Sequence, residues 1–192
     1  MKNILLALAL IVFIGCKDKK KEDLILDMNK SQKEMSKKEE AVLTQNIDAP
    51  FSLNFTDGSV LSMKKKENGF NIDNGNLPTM FVFFTTWCPP CLAQIPLINI
   101  IDEKYKGYLQ VITIIADENK EKEMVNNFVK NNNIKNKVVS DESSEIFMKS
   151  LGGINGVPYI LLYDATGKKT KEYSGLIPGE MLDIDIQKVI KR

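Results

Sequence analysis

Three cysteines, Cys16, Cys88 and Cys91, are the residues of this 192-residue chain best suited to covalent or redox chemistry. The chain has no histidine. That excludes Ser-His-Asp and Cys-His catalysis, histidine metal sites and haem attachment at Cys-x-x-Cys-His, where Leu92 stands in the histidine's place. Structural zinc needs about four thiolate or imidazole ligands, and one clustered pair cannot supply them. Cys88-Pro89-Pro90-Cys91 is left with dithiol–disulfide exchange or a structural staple. Closing so small a loop gains only about 2 kcal/mol in the chain-entropy model, which makes exchange the stronger reading.

Exchange needs one sulfur held as a thiolate, and the flanking sequence supplies the means. Thr79 to Phe84 is an apolar run without alternation, the pattern of a central strand buried on both faces. After the cysteines, Leu92, Ile95, Ile98, Ile101 and Tyr105 recur at three- and four-residue spacing, which predicts a helix ending near Gly107 and kinked at Pro96. A cysteine where a strand gives way to a helix sits at the positive end of the helix dipole, beside amides lacking intrahelical partners. Cys88 is therefore expected to be the nucleophile, and Cys91, one turn deeper, to resolve the mixed disulfide.

The remaining pattern places this junction in a mixed sheet. Phe51–Phe55 and Val60–Met63 alternate around an Asp57-Gly58 turn and predict a hairpin. Beyond the first helix, strands are expected at 109–116, 138–139, 159–163 and 171–174, with helices at 121–131, 144–151 and 179–190. Strands alternating with helices before a final hairpin imply an α/β fold, a sheet covered on both faces.

The 26 basic and 25 acidic residues nearly cancel, which removes the positive field that nucleic-acid binding needs. Met1-Lys2-Asn3 and the apolar run Ile4–Ile14 read as a signal peptide, because the run is too short to span a bilayer. Phe13-Ile14-Gly15-Cys16 resembles a bacterial lipobox, with Phe13 where leucine is usual. Residues 1–15 are then the signal peptide and Cys16 the lipidated residue; the alternative is an ordinary secretory signal. Residues 16–46 are expected to form the anchor and a charged, partly helical spacer, and 47–192 the folded domain.

Trp87-Cys88-Pro89-Pro90-Cys91, followed far downstream by Gly156-Val157-Pro158, resembles the thioredoxin superfamily. The leading hairpin, the lipobox, Pro96 and the Asp164–Lys168 turn make the chain most similar to the membrane-tethered TlpA/ResA-like thiol:disulfide oxidoreductases, which serve cytochrome c maturation and related reductions. The resemblance implies the thioredoxin fold, with Trp87, Pro89, Pro90 and a cis Pro158 supporting the cysteines and Val157 and Pro158 binding an extended client. It implies cysteine-containing client proteins, apocytochrome c among them, and a membrane thiol as electron donor on the periplasmic or extracytoplasmic face. No metal or organic cofactor is implied, and a monomer is the simplest assembly.

Two positions depart from the pattern. Many tethered relatives carry glutamate where this chain has Gln94, and thioredoxin carries a buried aspartate where it has Val82. Pro90 offers the thiolate no donor, which predicts a reductant, with a potential nearer about −270 mV than −120 mV. An oxidase or isomerase, and a non-catalytic tethered binding lipoprotein, are the alternatives. Thr85, three residues before Cys88, resembles the peroxiredoxin pattern, but that chemistry normally needs an arginine, and the only one is Arg192.

Overall fold

The computed structural model describes residues 49–118 and 121–191. Cys16, the apolar run and the charged spacer lie outside them. In chain order the elements are β1 (Phe51–Asn54), β2 (Val60–Lys66), β3 (Gly69–Ile72), β4 (Thr79–Phe84), α1 (Pro89–Lys104), β5 (Gln110–Ile115), α2 (Lys122–Asn131), β6 (Lys137–Val139), α3 (Glu142–Ser150), β7 (Tyr159–Tyr163), β8 (Lys169–Ser174) and α4 (Gly179–Ile190).

All six residues of β4 are buried, as its unbroken apolar run predicts. It lies at the centre of a five-stranded sheet ordered β6-β5-β4-β7-β8, parallel to β5 and antiparallel to β7. Because strand side chains alternate between faces, β4 feeds two cores. Met80, Val82 and Phe84 pack with Ile95, Ile98 and Ile101 of α1, and with residues of α2 and α4. Phe81 and Phe83 pack with Phe147 of α3 and with the amino-terminal strands. Phe147 anchors the second core, its ring centroid 4.6 Å from that of Phe81 and 5.4 Å from that of Phe70. Each fully buried phenylalanine is worth about 1.5–3 kcal/mol in apolar transfer alone.

The expected hairpin is a three-stranded antiparallel sheet, β1-β2-β3. The third strand was hidden because Lys64-Lys65-Lys66 interrupts the apolar alternation and β3 is only four residues long. This small sheet meets the β7–β8 turn backbone to backbone: Phe70 N–H donates to the Gly167 carbonyl at 2.9 Å, and Lys169 N–H to the Asn68 carbonyl at 3.0 Å.

Pro96 does not divide α1, which runs as one helix from Pro89 to Lys104. The proline is on the exposed side, where water can replace the backbone hydrogen bond it deletes. The helix stops three residues before Gly107.

Candidate active site

The exits of neighbouring strands build the site. β4 ends at Phe84, whose carbonyl accepts the Ala116 N–H at 2.7 Å, so the segments leaving β4 and β5 start out side by side. Thr85, Thr86 and Trp87 then lead to Cys88, the N-cap of α1, with extended backbone at φ −91° and ψ 105°. Pro89 and Pro90 occupy the first two helical positions, where a proline loses nothing because those amides have no intrahelical partner. The same prolines remove two amides that could have faced the Cys88 sulfur. What remains is the Cys91 N–H, which donates to Cys88 Sγ at 3.2 Å.

Cys88 and Cys91 are joined in a disulfide, with Cα atoms 5.2 Å apart, inside the usual span for such bonds. Cys88 is 4% exposed and Cys91 0%. The difference is small but has the expected sense: an opening to solvent remains only at the first cysteine. Trp87 is 73% exposed beside it, so the indole belongs to neither core.

Pro158 comes to the site because β7 runs antiparallel to β4. Phe83 pairs with Tyr159, so the start of β7 lies at the end of β4, and Cys88 and Val157, 69 apart in sequence, meet. The Val157 carbonyl oxygen lies 3.7 Å from Cys88 Sγ. The Val157–Pro158 peptide bond is cis, as the resemblance implies.

Both positions of departure are buried: Val82 in the core of β4, and Gln94 at 0% exposure. Two contributors, Asp117 and Met124, were not legible from sequence. Asp117, just beyond β5, accepts the Thr86 N–H and hydroxyl at 3.0 and 3.1 Å. Met124 of α2 brings its sulfur to 3.8 Å from the Thr86 hydroxyl. Thr85 Oγ1 is buried without a hydrogen-bond partner among the described residues. A groove of about 820 Å³, lined in part by Phe55, Asp73, Gln110 and Lys137, lies at the other end of the sheet. Among the described residues no group of three or more His, Cys, Asp or Glu is placed to hold a metal.

The Redoxin family model matches residues 54–171, from the last residue of β1 into β8. The chain belongs to the Redoxin family. This Redoxin-family chain is 35% identical over 108 residues to thiol-disulfide oxidoreductase ResA of Bacillus thuringiensis subsp. konkukian, a match covering 56% of the chain. It spans about 60% of the length of the curated relatives of that name that it matches. Its fold is shared with StoA from Bacillus subtilis, at TM-score 0.58, 24% identity and coverage of 71% of this chain and 96% of the other. The exposed lipoprotein thioredoxin of Streptococcus pneumoniae has TM-score 0.58 and 21% identity, covering 73% of this chain and 99% of the other. The chain is thus similar in sequence to ResA and shares a thioredoxin-like fold with these solved structures.

Proposed function

We propose that the protein is a lipid-anchored extracytoplasmic thiol:disulfide oxidoreductase that reduces disulfides in client proteins. The observation that carries the reading is the Cys88–Cys91 disulfide at the start of α1, with the Val157 carbonyl 3.7 Å from the outer sulfur. ResA, by its name a thiol-disulfide oxidoreductase, supports the reaction class.

The cycle starts from the dithiol. The Cys88 thiolate, facing the Cys91 N–H, attacks one sulfur of a client disulfide. The client's S–S bond breaks, one client thiolate leaves, and a mixed disulfide forms on Cys88. The Cys91 thiolate then attacks Cys88 Sγ, releasing the second client thiolate and leaving the Cys88–Cys91 disulfide. The client has gained two electrons from the pair, and a membrane dithiol donor supplies two more, becoming a disulfide itself as the Cys88–Cys91 bond is reduced. An extended client segment lies along Val157 and pairs with its backbone, with Trp87 and Pro158 as flanking surfaces. Pro89 and Pro90 leave one amide to stabilise the thiolate, which favours a reducing pair.

Residues 1–15 act as the signal peptide, Cys16 carries lipid, residues 16–46 space the domain 47–192 from the membrane, and the protein works as a monomer. An exposed lipoprotein of the same fold supports the tether. Apocytochrome c, with its Cys-x-x-Cys-His segment, is the client class to test first.

The test is reduction of insulin and of a Cys-x-x-Cys-His peptide by the purified protein, compared with Cys88→Ser. Equal rates would overturn the enzymatic reading in favour of a binding lipoprotein. Cys91→Ser is expected to trap clients as mixed disulfides on Cys88. A potential near −120 mV instead of about −270 mV would reverse the direction of electron flow. Membrane release on Cys16→Ser checks the anchor.

A further inference from the structure

Gln94 is a wholly buried polar side chain in α1, one turn beyond Cys91. A buried amide costs free energy unless both ends find partners. Here a single residue satisfies both: the Gln94 carbonyl oxygen accepts the Ile177 N–H at 2.8 Å, and its NH2 donates to the Ile177 carbonyl at 3.1 Å. Ile177 belongs to the short segment between β8 and α4. Two residues earlier in that segment, the Gly175 N–H donates to the Pro158 carbonyl at 2.8 Å. Pro158 follows Val157, whose own carbonyl faces Cys88 Sγ. Gln94 is thus linked to the wall opposite the disulfide through two sets of backbone hydrogen bonds, although it lies under Cys91 on the other side of the site.

We propose that Gln94 is a positioning residue for thiol exchange, its amide clamping the 175–177 segment to α1 and so fixing the wall that faces Cys88. The role rests on the reading of Cys88 and Cys91 as an exchange pair. The clamp needs a donor and an acceptor at one side-chain end. Leucine supplies neither. Glutamate supplies both only while protonated, because an ionised carboxylate accepts but cannot donate to the Ile177 carbonyl.

The experiment compares wild type, Gln94→Leu and Gln94→Glu in the full chain. Hydrogen exchange at the Ile177 amide is followed in the disulfide form, and KM is measured for insulin and for cystamine, a disulfide too small to need the groove. In Q94L the Ile177 amide is expected to exchange about tenfold faster and KM for insulin to rise by about the same factor, as losing one or two net hydrogen bonds would give. Cystamine reduction should stay within about twofold of wild type. Q94E should show a pH-dependent insulin-to-cystamine ratio, wild-type at low pH and shifted toward that of Q94L above the carboxyl's titration. This arm also decides the matter if Q94L fails to fold.

Wild-type exchange and wild-type insulin KM in Q94L would overturn the proposal, as would equal losses on both substrates or a pH-independent ratio in Q94E. A wild-type protein inactive toward both disulfides would instead overturn the exchange reading. That result is distinct from a failed clamp, in which wild type is active and Q94L matches it.

Discussion

Asp117 accepts two hydrogen bonds from Thr86, one from its backbone N–H at 3.0 Å and one from its hydroxyl at 3.1 Å. The carboxylate is 9% exposed, and its partner lies two residues before Cys88. The loop that delivers the cysteine is therefore tied to the end of β5 as well as to β4. Asp117→Ala is expected to leave both Thr86 donors unpaired and to lower unfolding free energy by about 1–3 kcal/mol. Asp117→Asn, which keeps an acceptor, should lose less. Urea midpoints for both variants at unchanged m-value check this, and a wild-type midpoint for Asp117→Ala would show that the two bonds carry no weight.

Trp87 is solvated and adds nothing to the core, and the contribution proposed for it is to recognition. Trp87→Ala should leave stability within about 0.5 kcal/mol of wild type while weakening reaction with a protein disulfide several-fold. Parallel chemical denaturation and insulin-reduction assays separate the two effects. A large drop in stability with an unchanged KM would sink this assignment.

The meeting of the two sheets leaves no room for a methyl group. A Cβ at Gly69 would lie 2.1 Å from the Gly167 carbonyl oxygen, and one at Gly167 would lie 1.8 Å from that of Phe70. Both are backbone atoms, and both glycines have positive φ, +150° and +74°. Gly69→Ala and Gly167→Ala are expected to cost more than the roughly 1–2 kcal/mol charged for a left-handed backbone alone. Gly58→Ala provides the control, since φ there is +85° with nothing within 4 Å. If thermal melts place all three variants together, the steric account fails.

Asp185 gives a pH dependence with a defined sign. The Tyr173 hydroxyl donates to it at 2.6 Å and Lys188 at 2.9 Å, with Lys171 at 3.4 Å. These partners, the Tyr173 hydrogen bond foremost, hold its carboxyl down to about 2 from an ordinary 3.8. A depressed folded-state value means that the stabilisation is complete above pH 3.8 and is lost as pH falls through about 2. The stability gap between wild type and Asp185→Asn should be constant at neutral pH and narrow between those values. Denaturation series across that range check it, and a gap that ignores pH would contradict it.

The parts of this molecule legible in the sequence are those whose cause is local. The apolar Thr79–Phe84 run marks a strand buried on both faces, and the spacing after Cys91 marks the helix. The closing helix is found at the expected Gly179–Ile190. β3 escaped because its only strong apolar anchor, Phe70, follows three lysines and a turn, so its pairing comes from β2 and the aromatic core and not from its own pattern. Within the site, Cys88 and Cys91 declare themselves by spacing, and Pro158 by likeness to a family. Asp117 and the Ile177 partner of Gln94 do not. Their bonds to Thr86 and Gln94 cross 31 and 83 residues, and a lone aspartate or glutamine in a sequence carries no mark of what the fold will bring to it.

Cys88 and Val157 stand just past paired ends of β4 and β7, whose rungs run from Thr79 with Tyr163 to Phe83 with Tyr159 through the centre of the molecule. The strand ends from which the two lips emerge are therefore held at a set separation by this ladder. On the proposed function, a disulfide entering between the lips must fit a gap whose base is set by the sheet.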